Sequence, residues 1–155
     1  MCNEISIRQY PKQAQIGSNK IMTIKGDASG NVWVGTYDGG VARIDGMTGE
    51  IRLTKNNPGA SLSTQLSNNW INTMIVDRAG TLWVGTLKGL NSIDKAGKIH
   101  YYNNVNGLPF NIKIYALCED SNGLLWIGSN SGLLSFNRIS GRVQSYTMDN
   151  GLPNN

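Results

Sequence analysis

Three aspartates, Asp27, Asp77 and Asp120, occupy the same place in three copies of one phrase. A recurring carboxylate could bind calcium, which is held by several oxygen ligands. Here each Asp opens a short turn, where its side chain accepts backbone N–H groups a few residues on. Successive copies lie a whole repeat apart, too far to share an ion. His100 is the single histidine, and Cys2 and Cys118 are the two cysteines. Neither arrangement has the clustered spacing of a zinc site. No catalytic constellation is visible, so the sequence implies no catalytic residue, metal or cofactor. His100 reads as a solvent-facing residue of an edge strand, and Cys118 as a small buried thiol of an inner strand.

What remains is the chemistry of binding. Trp33, Trp83 and Trp126 could stack on sugars, but their fixed place in the repeat assigns them to packing. Trp70 has no counterpart in the other repeats and follows Asn68 and Asn69, a setting that suits carbohydrate stacking. Further polar and aromatic residues fall in loops expected on the same side: Tyr37, Asp38, Lys88, Phe110, Asn111, Asn130 and Ser131. Amide, acid, ammonium and ring groups of this kind suit sugar hydroxyls and ring faces. Function concentrates in loops held by a rigid scaffold.

The scaffold is the repeated phrase itself: Asp, two free positions, Gly, one free position, an apolar residue, Trp, a β-branched residue, Gly, then Thr or Ser, at 27–36, 77–86 and 120–129. The period of about 43 to 50 residues is that of propeller blades. Gly closes the turn in the left-handed conformation, and the apolar–Trp–apolar run is β-prone and too short for a helix. On such a strand Trp33 and Gly35 share one face, Val32 and Val34 the other. Both faces are apolar, so the strand belongs inside a sheet packed between two neighbours. The Gly two places after each Trp leaves room for a large side chain from the next sheet.

In chain order, 7–10 reads as the outer strand of a preceding unit, with 1–19 comprising that strand and its connection. Three units follow at 20–55, 70–103 and 113–147, joined by a long connection at 56–69 and a shorter one at 104–112. Residues 148–155 repeat the Gly-Leu-Pro phrase of 107–109 and lead toward another unit. Each unit is expected as a four-stranded antiparallel meander: strands at 21–26, 32–36, 41–45 and 51–54; at 71–76, 82–86, 90–94 and 99–102; and at 114–119, 125–129, 133–137 and 143–146. The fold class is all-β: a β-propeller fragment with three complete four-stranded antiparallel blades plus one orphan outer strand.

Composition agrees with short strands and tight turns, since charged residues make up only 15% and Gly numbers 19. The net charge of +4 comes from cations scattered without a run of three, which argues against nucleic acid as a partner. A mildly basic surface would suit an acidic ligand such as a uronic or sulfated sugar. There is no leader-like segment and no apolar run able to span a bilayer, so any membrane contact comes through segments outside this chain. Three blades leave an apolar face open at each end. If each face exposes several hundred Å², covering both is worth on the order of 10 kcal/mol, at ~25 cal/mol per Å². Self-association of the propeller arc is therefore expected.

The phrase at 114–136, preceded by Gly107-Leu108-Pro109, resembles the two-component regulator propeller repeat, and the stretches at 77–94 and 27–45 are similar. The first unit departs from it with Gly40-Val41 in place of the usual Gly-Leu and with a lengthened connection after it. The resemblance implies the sensor region of a hybrid two-component histidine kinase, located in the periplasm as part of an inner-membrane sensor. It also implies an oligosaccharide ligand and signalling to a kinase that lies outside this chain. Two other classes stay open: a streptogramin-lyase-like propeller enzyme, which needs a His and acidic residues around a metal, and a structural protein–protein interaction propeller.

Overall fold

The computed structural model describes residues 16–61 and 64–148. Within them lie three four-stranded antiparallel sheets, each a meander in chain order. The first holds β1 (Ile21–Gly26), β2 (Val32–Thr36), β3 (Val41–Ile44) and β4 (Ile51–Thr54). The second holds β5 (Ile71–Val76), β6 (Leu82–Thr86), β7 (Gly89–Ile93) and β8 (Ile99–Tyr102). The third holds β9 (Ile114–Glu119), β10 (Leu125–Ser129), β11 (Gly132–Phe136) and β12 (Val143–Tyr146). These are three propeller blades. The strand read at 7–10 and the end of the lead-in at 148–155 lie outside the described residues.

The third strand of each blade ends one residue earlier than the apolar pattern suggests. Asp45, Asp94 and Asn137 turn their side-chain oxygens onto backbone N–H groups of the following turn: Met47 and Thr48, Ala96 and Lys98, Ile139 and Ser140. A residue committed to its own turn cannot also extend the ladder. In the second connection a short 3-10 turn, Asn104–Asn106, adds an element that the sequence reading lacked. It is capped by Asn103 and closed by Gly107 at φ 85°.

The blades stack in one direction. β5 packs beside β1 and β9 beside β5. Trp33, in the first blade, packs against a core of Ile71, Met74, Leu82, Val84 and Ile93 from the second. Trp83, in the second, packs against Ile114, Leu125, Ile127, Leu134 and Phe136 from the third. Each junction thus sets a Trp-bearing face against an aliphatic face. The middle blade, covered on both sides, has every residue of β6 and β7 buried.

The expected glycine socket is present at both junctions. A Cβ added to Gly35 would sit 2.7 Å from Ile71 Cγ2, and one added to Gly85 would sit 2.5 Å from Ile114 Cγ2. Hydrogen bonds reinforce the second junction: Asn72 Nδ2 donates to the Ile114 carbonyl at 2.8 Å.

The outer faces are less covered. Ile24 and Val32 are exposed on the first blade, Tyr115 on the third. The expectation of a buried Cys118 is corrected here, because the thiol is exposed. Cys118 pairs with Trp126 across β9 and β10, so it lies on the Trp-bearing face of the last blade. No further sheet covers that face among the described residues.

These sockets predict different tolerances for the same substitution. Gly85→Ala should lower the thermal midpoint by the equivalent of about 1–3 kcal/mol, since the methyl meets a packed Ile114. Gly128→Ala should cost clearly less, because its Cβ would meet only Ala116, at 3.3 Å. Equal midpoints for the two variants in thermal unfolding would refute the socket.

Candidate functional site

A meander puts the second-to-third-strand turns and the blade-to-blade connections at one end of every blade. The residues singled out from the sequence all lie in those loops. At the first junction, Tyr37 and Trp70 meet with ring centroids 3.8 Å apart, and Lys20 Nζ stands 4.8 Å over the Tyr37 ring. Both aromatic residues are half-buried and Asp38 beside them is exposed. The Trp70 Nε1 is buried and makes no hydrogen bond.

The two neighbouring asparagines hold this junction together. Asn68 Oδ1 accepts the Trp70 N–H at 2.7 Å. Asn69 Oδ1 accepts the Asn56 N–H at 2.6 Å, and the Asn69 carbonyl accepts from Gly40 N at 3.0 Å. They position Trp70 and secure the long connection, which already occupies much of their hydrogen-bonding capacity.

At the second junction, Lys88, Phe110 and Asn111 line one shallow recess of ≈ 260 Å³ together with Tyr101, Asn103 and Asn104. Phe110 is 77% exposed there. Asn111 takes a left-handed backbone, φ 54°, which Asn tolerates better than most residues. Asn130 stands apart from both groups, its Oδ1 accepting the Lys113 N–H at 2.6 Å. The structure therefore sorts the sequence-derived residues into an aromatic pair, a recess one blade further on, and a turn brace. Lys20 was missed, although it shares with Trp70 and Lys113 the position just before the first strand of a blade.

The opposite end carries the recurring aspartates. Asp27 Oδ1 accepts from the Ser29 and Asn31 N–H groups, and Asp120 Oδ1 from Asn122 and Leu124. In all three blades the other carboxylate oxygen accepts the indole N–H of the motif Trp: Trp33 at 2.9 Å, Trp83 at 2.7 Å and Trp126 at 2.9 Å. Asp77 is also paired with Arg138, which reaches Glu119 Oε1 at 2.7 Å. The aspartates are turn and indole acceptors. No group of three metal-ligating side chains occurs among the described residues, and none of their helices is long and apolar enough to cross a membrane.

Comparison with known proteins fits this geometry. The family profile described as "Two component regulator propeller" matches residues 15–38, 65–88 and 107–131. These three stretches match the repeat of that family. No curated protein sequence matches the chain.

Among solved structures, this chain resembles the extracellular domain assigned to the hybrid two component system BT3049 of B. thetaiotaomicron. That match has a TM-score of 0.74 at 24% identity, covering 85% of this chain and 19% of that one. The extracellular domain assigned to BT4673 of the same organism matches with a TM-score of 0.72 at 24% identity, covering 96% and 22%. PorZ, a surface component of the type-IX secretion system of Porphyromonas gingivalis, matches with a TM-score of 0.61 at 15% identity, covering 87% and 22%. These likenesses are of fold, and this chain spans about a fifth of the length of each structure it matches.

The carboxylate–indole contact has a pH signature. The Trp126 indole, with backbone N–H groups of Leu124 and Asn122, holds Asp120 below the usual carboxylate range against its slight burial. Burial pushes Asp27 up, but its hydrogen bonds from Asn31, Trp33 and Ser29 together outweigh this and lower it. A carboxyl that is more acidic folded than unfolded stabilises the fold above its unfolded pKa of about 4. That contribution is lost as the pH falls through the lowered folded value. The unfolding midpoint should be flat from about pH 7 to 5 and fall below about pH 4, and Asp120→Asn should flatten that acid limb. An acid limb unchanged in the variant would refute this role.

Proposed function

We propose that this chain is a ligand-reading segment of an extracytoplasmic sensor, of the kind a hybrid two-component histidine kinase presents in the periplasm, and that its ligand is an oligosaccharide. The observation that carries the reading is the Tyr37–Trp70 pair. It is a half-buried aromatic platform at a blade junction, flanked by the amide of Asn68 and by Lys20 and Asp38. Aromatic faces next to amide, acid and ammonium groups are what a sugar's apolar ring face and hydroxyls require. The family that the repeats match, and the fold shared with two extracellular domains assigned to such systems, support the setting.

Recognition without turnover is part of this reading. Asp38 is the one carboxylate of the platform described above, without a histidine or cysteine beside it, and His100 is exposed on the edge strand β8. A signal would arise if ligand favoured one arrangement of the blades over another, which requires different affinity for the two. Membrane attachment and the kinase belong to segments outside this chain. Self-association of the arc through its uncovered end faces forms part of the same reading.

Titration with a panel of neutral and acidic oligosaccharides, followed by tryptophan fluorescence and calorimetry, tests the proposal. One class of oligosaccharide should bind saturably and be recovered unchanged. Trp70→Ala and Tyr37→Ala should each weaken it by about tenfold, a loss of ~1.4 kcal/mol. Cleavage of the sugar would favour an enzyme, and absence of binding across the panel would favour a protein-interaction propeller. Either outcome would overturn the proposal.

A further inference from the structure

The two blade junctions are built from corresponding positions, yet they differ in charge at the end that carries the aspartates. At the second junction Glu119 is a bridge. Its Oε2 accepts the Arg78 backbone N–H at 2.9 Å, and its Oε1 accepts from the Arg138 guanidinium at 2.7 Å. At the first junction the residue in the place of Glu119 is Val76, that in the place of Arg78 is Ala28, and that in the place of Arg138 is Lys95. The donors are kept and the carboxylate is missing. The Ala28 N–H and the Lys95 ammonium make no hydrogen bond or ion pair among the described residues. Lys95 lies over Gly80 much as Arg138 lies beside Gly123.

The first junction also gains a cation. Arg43 pairs with Trp33 across β2 and β3, where the second blade has Ser92 opposite Trp83. The Arg43 guanidinium sits 5.7 Å from the Trp33 ring, and its buried Nε makes no hydrogen bond. An unpaired buried donor of this kind costs free energy that a ligand acceptor would recover. Asp45 and Glu50 share a recess with Arg43, but no acidic side chain at this end hydrogen-bonds its Nε: Asp45 accepts from Met47 and Thr48, and Glu50 pairs with Arg52. Asp27 is engaged by Ser29, Asn31 and Trp33, Asp77 by Thr81, Trp83 and Arg138, and Asp94 by Ala96 and Lys98.

Space is available as well. The second junction is packed by Trp83 against Tyr102 at 5.3 Å and Phe136 at 5.9 Å. The corresponding residues of the first junction are Thr54 and Ile93, which are smaller. A cleft of ≈ 520 Å³ remains, lined by Ala28, Trp33 and Val76, by the cations Arg43, Arg78 and Lys95, and by the hydrogen-bonded carboxylates Asp27, Asp77 and Asp94. That is the size range of small-ligand sites.

We propose that this cleft binds the carboxylate of an acidic sugar, which takes between the first and second blades the place that Glu119 fills between the second and third. The Ala28 N–H and Lys95 receive the carboxylate, Arg43 adds charge, and Trp33 forms a wall of the cleft. The site lies at the opposite end of the blades from the Tyr37–Trp70 platform and does not depend on it.

Amide and indole NMR spectra of the chain, titrated with digalacturonate and separately with neutral digalactose, test the assignment. Digalacturonate should shift the Ala28 amide and the Trp33 indole saturably, and the neutral sugar should leave both in place. Lys95→Ala, at an exposed position, should weaken the effect by about tenfold. Val76→Glu, which supplies the carboxylate from the chain itself, should abolish it and raise the thermal midpoint. No shift at Ala28 up to millimolar digalacturonate, or an equal response to the neutral sugar, would overturn the proposal. An unchanged response in Lys95→Ala would do the same.

Discussion

The contact between Gly35 and Ile71, repeated between Gly85 and Ile114, determines how the sheets can meet. A strand with a side chain at the glycine position would hold the next blade away from the Trp beside it. With none, the β-branched residue that opens the next blade seats directly against the backbone. The indole then covers the aliphatic core beyond it. The Asp–indole hydrogen bond fixes the ring from its polar edge, so a single motif specifies the turn, the ring orientation and the blade spacing. Each blade is too thin to bury both of its faces alone, and stability is shared through these junctions.

Much of this was legible in the sequence. The alternation of Trp and Gly on one face, with Val or Ile on the other, identified an inner strand and the glycine as a socket. The chain order of strands followed from glycine turns at fixed offsets. What escaped was the bond from each Asp to the Trp six residues on. It depends on the fold of the turn bringing the indole edge back to the carboxylate, which spacing alone does not reveal. Cys118 was misread for a related reason. Its strand, β9, is the last in the order of its sheet, and burial there depends on a neighbouring sheet, about which a local pattern carries no information.

The candidate loops were legible as a set but not as an arrangement. Trp70 stood out because no other repeat has an aromatic there, and the structure gives it a partner in Tyr37. Asn68, Asn69 and Asn130 looked equally suited to a ligand, yet their side-chain oxygens are spent on nearby backbone N–H groups. A sequence gives the chemical type of a loop residue, whereas its availability depends on which backbone groups it must satisfy. The cleft at the opposite end was invisible to motif reading. It arises from differences between repeats, at Val76, Ile93 and Arg43, and not from the features they share.

The unlike faces of a blade also restrict symmetry. At both junctions an indole-bearing surface meets an aliphatic one, so a two-fold axis can relate two molecules through their terminal blades only where each offers both surfaces at once and the pair closes a ring. Any association through those surfaces is heterologous and head-to-tail. Each added blade must be rotated in the same sense as the last, and the assembly either returns to its starting point or propagates as an open helix.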